Sequence, residues 1–193
     1  MLGLKLPTDP RWVNIVEKNI KEILTDHAFC EIKAASTAIS LMVSFPEYTE
    51  LVQEMPNLAK EELCHFEMVH NIIIDRGWTL GRDRKDHYVV KLLSFFPKGG
   101  SRTNQLVHRL LYAALIEARS CERFKILATN LKDEELSEFF RSLMASEAGH
   151  YMLFLNFARK YGERKEVDEK WQQLLTFEAE IMKDLGTKET VHG

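Results

Sequence analysis

The chain has 193 residues, of which 45% are hydrophobic and 28% charged, and a formal net charge of −3. That is ordinary globular composition, which excludes a disordered or fibrous chain, and the charge alone names no partner. Nine glycines and five prolines are few for a loop-rich all-β fold, and no run of about 18 apolar residues marks a membrane-spanning helix.

Apolar spacing is helical throughout, and no segment alternates at period two. Pro10 suits the first turn of a short opening helix with Trp12, Ile15, Val16, Ile20 and Ile23 on its inner side. Asp26 is placed to cap a second helix that stops at Ser44-Phe45-Pro46. A third helical region follows Pro46 and ends at Gly77, a C-terminal capping glycine, with Pro56 either kinking it or restarting it at Asn57. Residues 77–102 carry turn signals, Gly81, Pro97, Gly99 and Gly100, with one short helix expected near Val89–Phe96. A fourth helix is expected over Asn104–Thr129, a fifth over Asp133–Tyr161 with Gly162 at its end, and a last, acidic one over Val167–Leu185. The tail after Gly186 should fray. The whole reads as one all-α domain over residues 1–193: a four-helix bundle with extra short helices and a crossover of about 25 residues between its two helix pairs.

The opening MLGLKLPTDPRW has neither a long apolar region nor a small-residue cleavage site, so no secretory signal is expected. Cys30, Cys64 and Cys121 are too few and scattered for a disulfide framework, which fits a reducing, cytoplasmic setting. All three lie near the candidate ligands named below, and Cys121, on the face of Glu117, reads as a small buried hydrophobe.

Within the expected helices Glu-x-x-His occurs three times, at Glu62/His65, Glu67/His70 and Glu147/His150, where 21 Glu and 7 His would give about one over the whole chain by chance. The signal is therefore where the pairs fall. Glu147 and His150 lie on the stripe of Leu136, Phe140, Leu143, Phe154 and Phe157. Glu117 interrupts the stripe of Leu110, Ala113, Ala114, Cys121 and Phe124. Glu31 is flanked by Ala28, Ala35, Ala38 and Met42, and Glu62 and His65 by Leu58, Val69 and Ile72. Four carboxylates on apolar stripes would each carry a penalty of roughly several kcal/mol unless a buried positive charge compensates. Two divalent metals would neutralise them, and two imidazoles would complete the shell. One Glu from each of two helices and one Glu-x-x-His from each of two others is the di-iron carboxylate arrangement. Oxygen-rich ligation with one imidazole per metal suits iron or manganese better than structural zinc. The spacing repeats: Glu31 to Glu62 is 31 residues and Glu117 to Glu147 is 30. Glu67 breaks that symmetry and lies about 140° around the helix from Glu62, so Glu67 and His70 are placed off the metal face. The expected ligands are Glu31, Glu62, His65, Glu117, Glu147 and His150.

The stretches CEIKAASTAI, EELCHFEMVHNIIIDRG, LLYAALIEARSCERF and SEAGHYMLF resemble the ferritin-like di-iron superfamily, and within it the tRNA hydroxylases of the MiaE type. The six-ligand pattern is common to the superfamily; EARSCERF and the short, compact bundle point to the narrower family. The resemblance implies hydroxylation of an isopentenylated, methylthiolated adenosine beside the anticodon, with two iron ions, O2 as co-substrate and two external electrons. The chain has no Gly-x-Gly-x-x-Gly fingerprint, flavin-type loop or cysteine cluster, so a separate reductase or electron carrier is implied. No catalytic group beyond the metal ligands is required. Tyr112 and Tyr151 read as core packing rather than redox-active groups.

Residues 76–109 hold Arg76, Arg82, Arg84, Lys85, Lys91, Lys98, Arg102 and Arg109 against only Asp83 and Asp86. Trp78, Tyr88, Phe95 and Phe96 are interleaved. Cations for phosphates and rings for unstacked bases suit a single-stranded RNA loop; a solvated crossover with docked aromatics explains the same residues. The resemblance favours RNA contact through Arg76, Arg82, Arg84, Lys85, Lys91, Lys98 and Arg102. The competing function is a ferritin- or rubrerythrin-like protein that handles iron or removes peroxide, and a third is a metal-stabilised bundle without catalysis. Oligomeric state is not legible in the sequence.

Overall fold

A computed structural model describes residues 2–185, 190 and 191. Those residues are all-helical, with no strand among them. A 3-10 turn at Pro10–Trp12 leads into α1 (Val13–Lys18), followed by α2 (Ile20–Ser44), α3 (Thr49–Asp75), α4 (His87–Leu93), α5 (Arg102–Asn130), α6 (Glu134–Tyr161) and α7 (Arg164–Leu185). The fraying expected after Gly186 falls on residues 186–189 and 192–193, outside those described.

Caps set several of the boundaries. Asp9 accepts the N–H of Arg11 at 2.9 Å, and Pro10 takes the first turn, where its missing N–H costs nothing. Ser101 and Asp133 cap α5 and α6 by accepting from Asn104 and Leu136, both at 3.1 Å. Asp86 accepts from Val89 at 3.1 Å and starts α4 two residues earlier than expected. At the end of α3, Trp78 N–H bonds Ile73 O and Gly77 N–H bonds Ile74 O, at 3.0 and 2.8 Å. This Schellman pair needs the positive φ of Gly77, +73°. Gly162 ends α6 for another reason. Its backbone is extended, but a Cβ there would meet Val167 Cγ2 at 2.6 Å and Val107 Cγ2 at 3.0 Å.

Four expectations are corrected. Asp26 does not cap α2, which begins six residues earlier; its carboxylate instead accepts the N–H of Val191 at 2.7 Å. Pro56 does not restart α3 at Asn57: one helix runs through it, and its buried Leu51, Met55, Leu58 and Ala59 continue one face past the proline. The lost bond to the Val52 carbonyl is outweighed by that burial. α4 ends at Leu93 rather than Phe96, and α7 starts at Arg164 rather than Val167.

The described residues form two compact units. One is Lys18–Lys85 with residues 190 and 191, in which α2 and α3 pack along each other. The turn at residues 45–48 joins them, closed by a bond from Tyr48 N–H to Phe45 O at 3.2 Å. The other unit contains residues 2–17 and 86–185, built on the pairing of α5 with α6. There, α4 packs against α7, and α7 against α5 and α6.

A buried polar network ties this second unit together. The Arg119 guanidinium donates to Glu178 Oε1 (2.6–2.8 Å), Glu122 Oε2 (2.9 Å) and Leu6 O (2.9 Å). Tyr88 on α4 donates to the same Glu178 oxygen at 3.2 Å, and Thr8 bonds both oxygens of Glu122. Arg123 lies over the Trp12 ring at 4.3 Å. Burial, with the charge of Arg119, brings Arg123 down to about 10. The network thus pins the N-terminal segment, α4 and α7 to α5.

Candidate metal centre

α2 carries Glu31 between buried Ala28, Ala35 and Ala38, whose small side chains leave room for a carboxylate. α3 carries Glu62 and His65 on the buried stripe of Leu58, Val69 and Ile73. All three polar groups are buried, Glu62 to 1% exposure. Each offers an atom within 4.8 Å of the others. His65 Nδ1 is 3.2 Å from Glu62 Oε2 and 3.6 Å from Glu31 Oε2. Burial alone would lift the Glu31 carboxyl. The His27 charge and the bonds from His27, His65 and Glu62 carry it well below the usual carboxylate range instead. Burial likewise opposes protonation of His65, but bonds to Glu31 and Glu62 raise its pKa to about 10.

The second unit repeats the pattern. Glu117 is buried on α5 among Ala113, Ala114, Cys121 and Phe124, and Glu147 and His150 are buried on α6 between Leu143 and Phe154. Glu117 and His150 offer ligand atoms within 4.8 Å of each other. Glu67 is exposed, and His70 is half-buried with its ring stacked on Phe66 at 5.6 Å. The side chains around Glu62 and His65 therefore have the burial expected of the metal-facing register.

His27 is a residue that the sequence reading missed. It is wholly buried one turn before Glu31, with Nε2 2.5 Å from Glu31 Oε1. The signal was His-x-x-x-Glu at helical i,i+4 spacing. The buried Arg119 and Arg123 were missed too, although both lie in the EARSCERF stretch.

The basic segment divides between the units. Arg82, Arg84 and Lys85 are exposed on the non-helical segment before α4, where Lys33 holds Asp83 at 2.6 Å. Arg76 caps α3, half-buried, 6.0 Å from the Trp78 ring. Lys91, Lys98 and Arg102 are exposed in the other unit, with Lys91 3.4 Å from Asp184. Of the two readings of the interleaved aromatics, three of the four rings take the docked one. Tyr88 is wholly buried on Glu178; Phe95 packs on Phe96 and Phe177 at 5.1 and 5.4 Å, and Phe96 on His108 at 5.3 Å. The apolar face of α4 docks on α7 and takes these rings inward. Trp78 alone of the four lies outside that packing, and it is half-buried.

Only Cys121 is a buried thiol; Cys30 is half-buried and Cys64 exposed. Cys121 Sγ donates to Met144 O at 3.5 Å, and burial raises its pKa. Tyr151 packs on Trp171 at 5.9 Å. No helix among the described residues is long and apolar enough to cross a membrane.

A family model described as tRNA-(MS[2]IO[6]A)-hydroxylase (MiaE) matches residues 2–193. A Pseudomonas putida protein named tRNA 2-(methylsulfanyl)-N(6)-isopentenyladenosine(37) hydroxylase is 38% identical over 164 residues, 85% of this chain and 78% of that protein. A Salmonella typhimurium protein of the same name is 30% identical, covering 81% of this chain and 75% of its own. Among solved structures, protein 43 with aldehyde deformylating oxygenase activity from Synechococcus superposes with a TM-score of 0.91 at 32% identity. The match covers 98% of this chain and 95% of that one, and the all-helical fold is ferritin-like.

Proposed function

The chain belongs to the MiaE family of tRNA hydroxylases, and we propose that it hydroxylates the isopentenyl group of a methylthio-isopentenyl adenosine beside the tRNA anticodon. The observation that carries this reading is the repeated burial of Glu plus Glu-x-x-His, once in each unit. The donor set fits iron: carboxylate oxygens with one imidazole per repeat, no thiolate among them, and acids that burial would otherwise penalise. Glu31, Glu62, His65, Glu117, Glu147 and His150 would hold two irons. When bound, the metals would supply O2 activation, one oxygen atom going to the substrate C–H and the other to water, with two electrons and two protons from outside. The chain's own contribution is to bind and orient the metals and to keep bulk water away with Leu58, Val69, Leu143 and Phe154, all buried. An external donor supplies the electrons, and the cytoplasm, where tRNA is modified, is the place of action. One domain over 1–193 is part of this reading, since each half of the sequence contributes three ligands.

The test is mass spectrometry of tRNA nucleosides from cells with and without the protein. Hydroxylated nucleoside should appear only with it and, in vitro, only with O2 and a reductant. Intact di-iron protein that leaves correctly modified tRNA unhydroxylated defeats the reading; iron storage without product would replace it.

His65 makes metal loading pH-dependent. Its metal-free pKa lies near 10, so it carries a proton at neutral pH that a metal must expel. Affinity should therefore fall as pH drops below about 10, by roughly tenfold per unit for this one proton. Loading at pH 8 in weak buffer should acidify it, and metal affinity that does not change with pH between about 6 and 9 would refute this.

Exposed Arg82, Arg84 and Lys85 are the proposed phosphate contacts, joined by Arg76, Lys91, Lys98 and Arg102. Changing the first three together to Ala should weaken tRNA binding and flatten the log–log salt slope by roughly 2. Iron content should not change. An untouched slope would assign RNA binding to another surface.

A further inference from the structure

His27 and Glu31 stand one turn apart on the same face of α2. The two oxygens of Glu31 meet different partners. Oε1 is 2.5 Å from His27 Nε2, whereas Oε2 lies 3.6 Å from His65 Nδ1, beside Glu62. An ionised carboxylate only accepts hydrogen bonds, so His27 Nε2 carries the hydrogen and donates it. A nitrogen that donates in this way has no lone pair left for a metal. His27 is wholly buried, which restricts the ring to this position.

We propose that His27 is a positioning residue: it holds Oε1 of Glu31 and leaves Oε2 alone to bind metal, so that Glu31 acts as a one-oxygen ligand. This rests on the proposed ligation by Glu31 and goes beyond it, since none of the six ligands is His27. Groups that hydrogen-bond ligating side chains fix their orientation, and losing one typically costs about 10–100-fold in metal affinity. Without the donor, Glu31 is free to rotate and to bind through both oxygens.

Anaerobic titration with cobalt(II) reads both affinity and coordination. Wild type should bind two equivalents. His27→Phe keeps the bulk and removes the donor; one equivalent should weaken at least tenfold, the other should not, and the visible absorption of the weakened one should fall as its coordination number rises. His27→Gln restores an N–H donor and should return affinity to within about threefold, with the wild-type spectrum. Metal-free melting of all three proteins separates this from a folding defect, and His27→Leu replaces His27→Phe if the latter does not fold. Wild-type affinity and spectrum in the donor-less variant would overturn the proposal, as would failure of His27→Gln to rescue. Both of those outcomes leave the metal centre standing. Wild-type protein that binds no cobalt would remove the centre and this proposal with it.

Discussion

Glu62→Ala and Glu147→Ala are each expected to lose bound metal and hydroxylation together, whereas Glu67→Ala keeps both. Glu62 and Glu147 are 1% and 2% exposed on apolar stripes, so each carboxylate is committed to the interior. Glu67 is exposed five residues further along α3. Removing an inner ligand deletes a bond to the metal itself, so the loss should exceed the 10–100-fold typical of outer partners. Elemental analysis after preparation with iron should give about two irons per chain for wild type and Glu67→Ala, and at most one for the other two variants. One zinc and no iron at full occupancy in the wild type would sink the di-iron assignment. Metal retained by Glu62→Ala and lost from Glu67→Ala would move the site to Glu67 and His70.

Arg119→Met should be among the most destabilising single changes in the chain. The guanidinium and Glu178 are both fully buried, and Glu122 shares the same cation. Losing the arginine strands Glu178 in the interior, where breaking such a pair costs about 3–5 kcal/mol. For a chain of this size that is a fall of roughly 6–20 °C in Tm. The double change Arg119→Met with Glu178→Gln should recover part of the loss, because the amide carries no charge. A single variant that melts within about 2 °C of wild type would mean that the network is not an energetic clamp. None of its members is a proposed ligand, so protein that still folds should keep its metal.

The candidate site was largely legible because its signals are local. Glu-x-x-His places two groups on one helical face whatever the helix later packs against, and the near-equal spacings from Glu31 to Glu62 and from Glu117 to Glu147 mark the same element pair twice. His27 obeys the same geometry, four residues before Glu31, but a lone histidine on an alanine-rich face has no counterpart in the second repeat and so drew no notice. Caps were legible where the side chain serves its own helix, as at Asp133. They failed at Asp26, whose partner Val191 is 165 residues away.

The aromatic residues of the crossover mark the boundary between the two kinds of information. The sequence by itself determined the helices, their buried stripes and the six candidate ligand positions on them, because helical periodicity is set within a turn or two of each residue. It left Tyr88, Phe95 and Phe96 equally suited to bases and to packing. Only the tertiary structure chose packing, by bringing Glu178 and Phe177 of α7 against Tyr88 and Phe95 from more than 80 residues away, with Phe96 packed on Phe95 and His108. The buried pairing of Arg119 with Glu178 was decided at the same level. Neither residue carries a local mark of burial, since a charged side chain enters the interior only when a distant partner arrives to neutralise it.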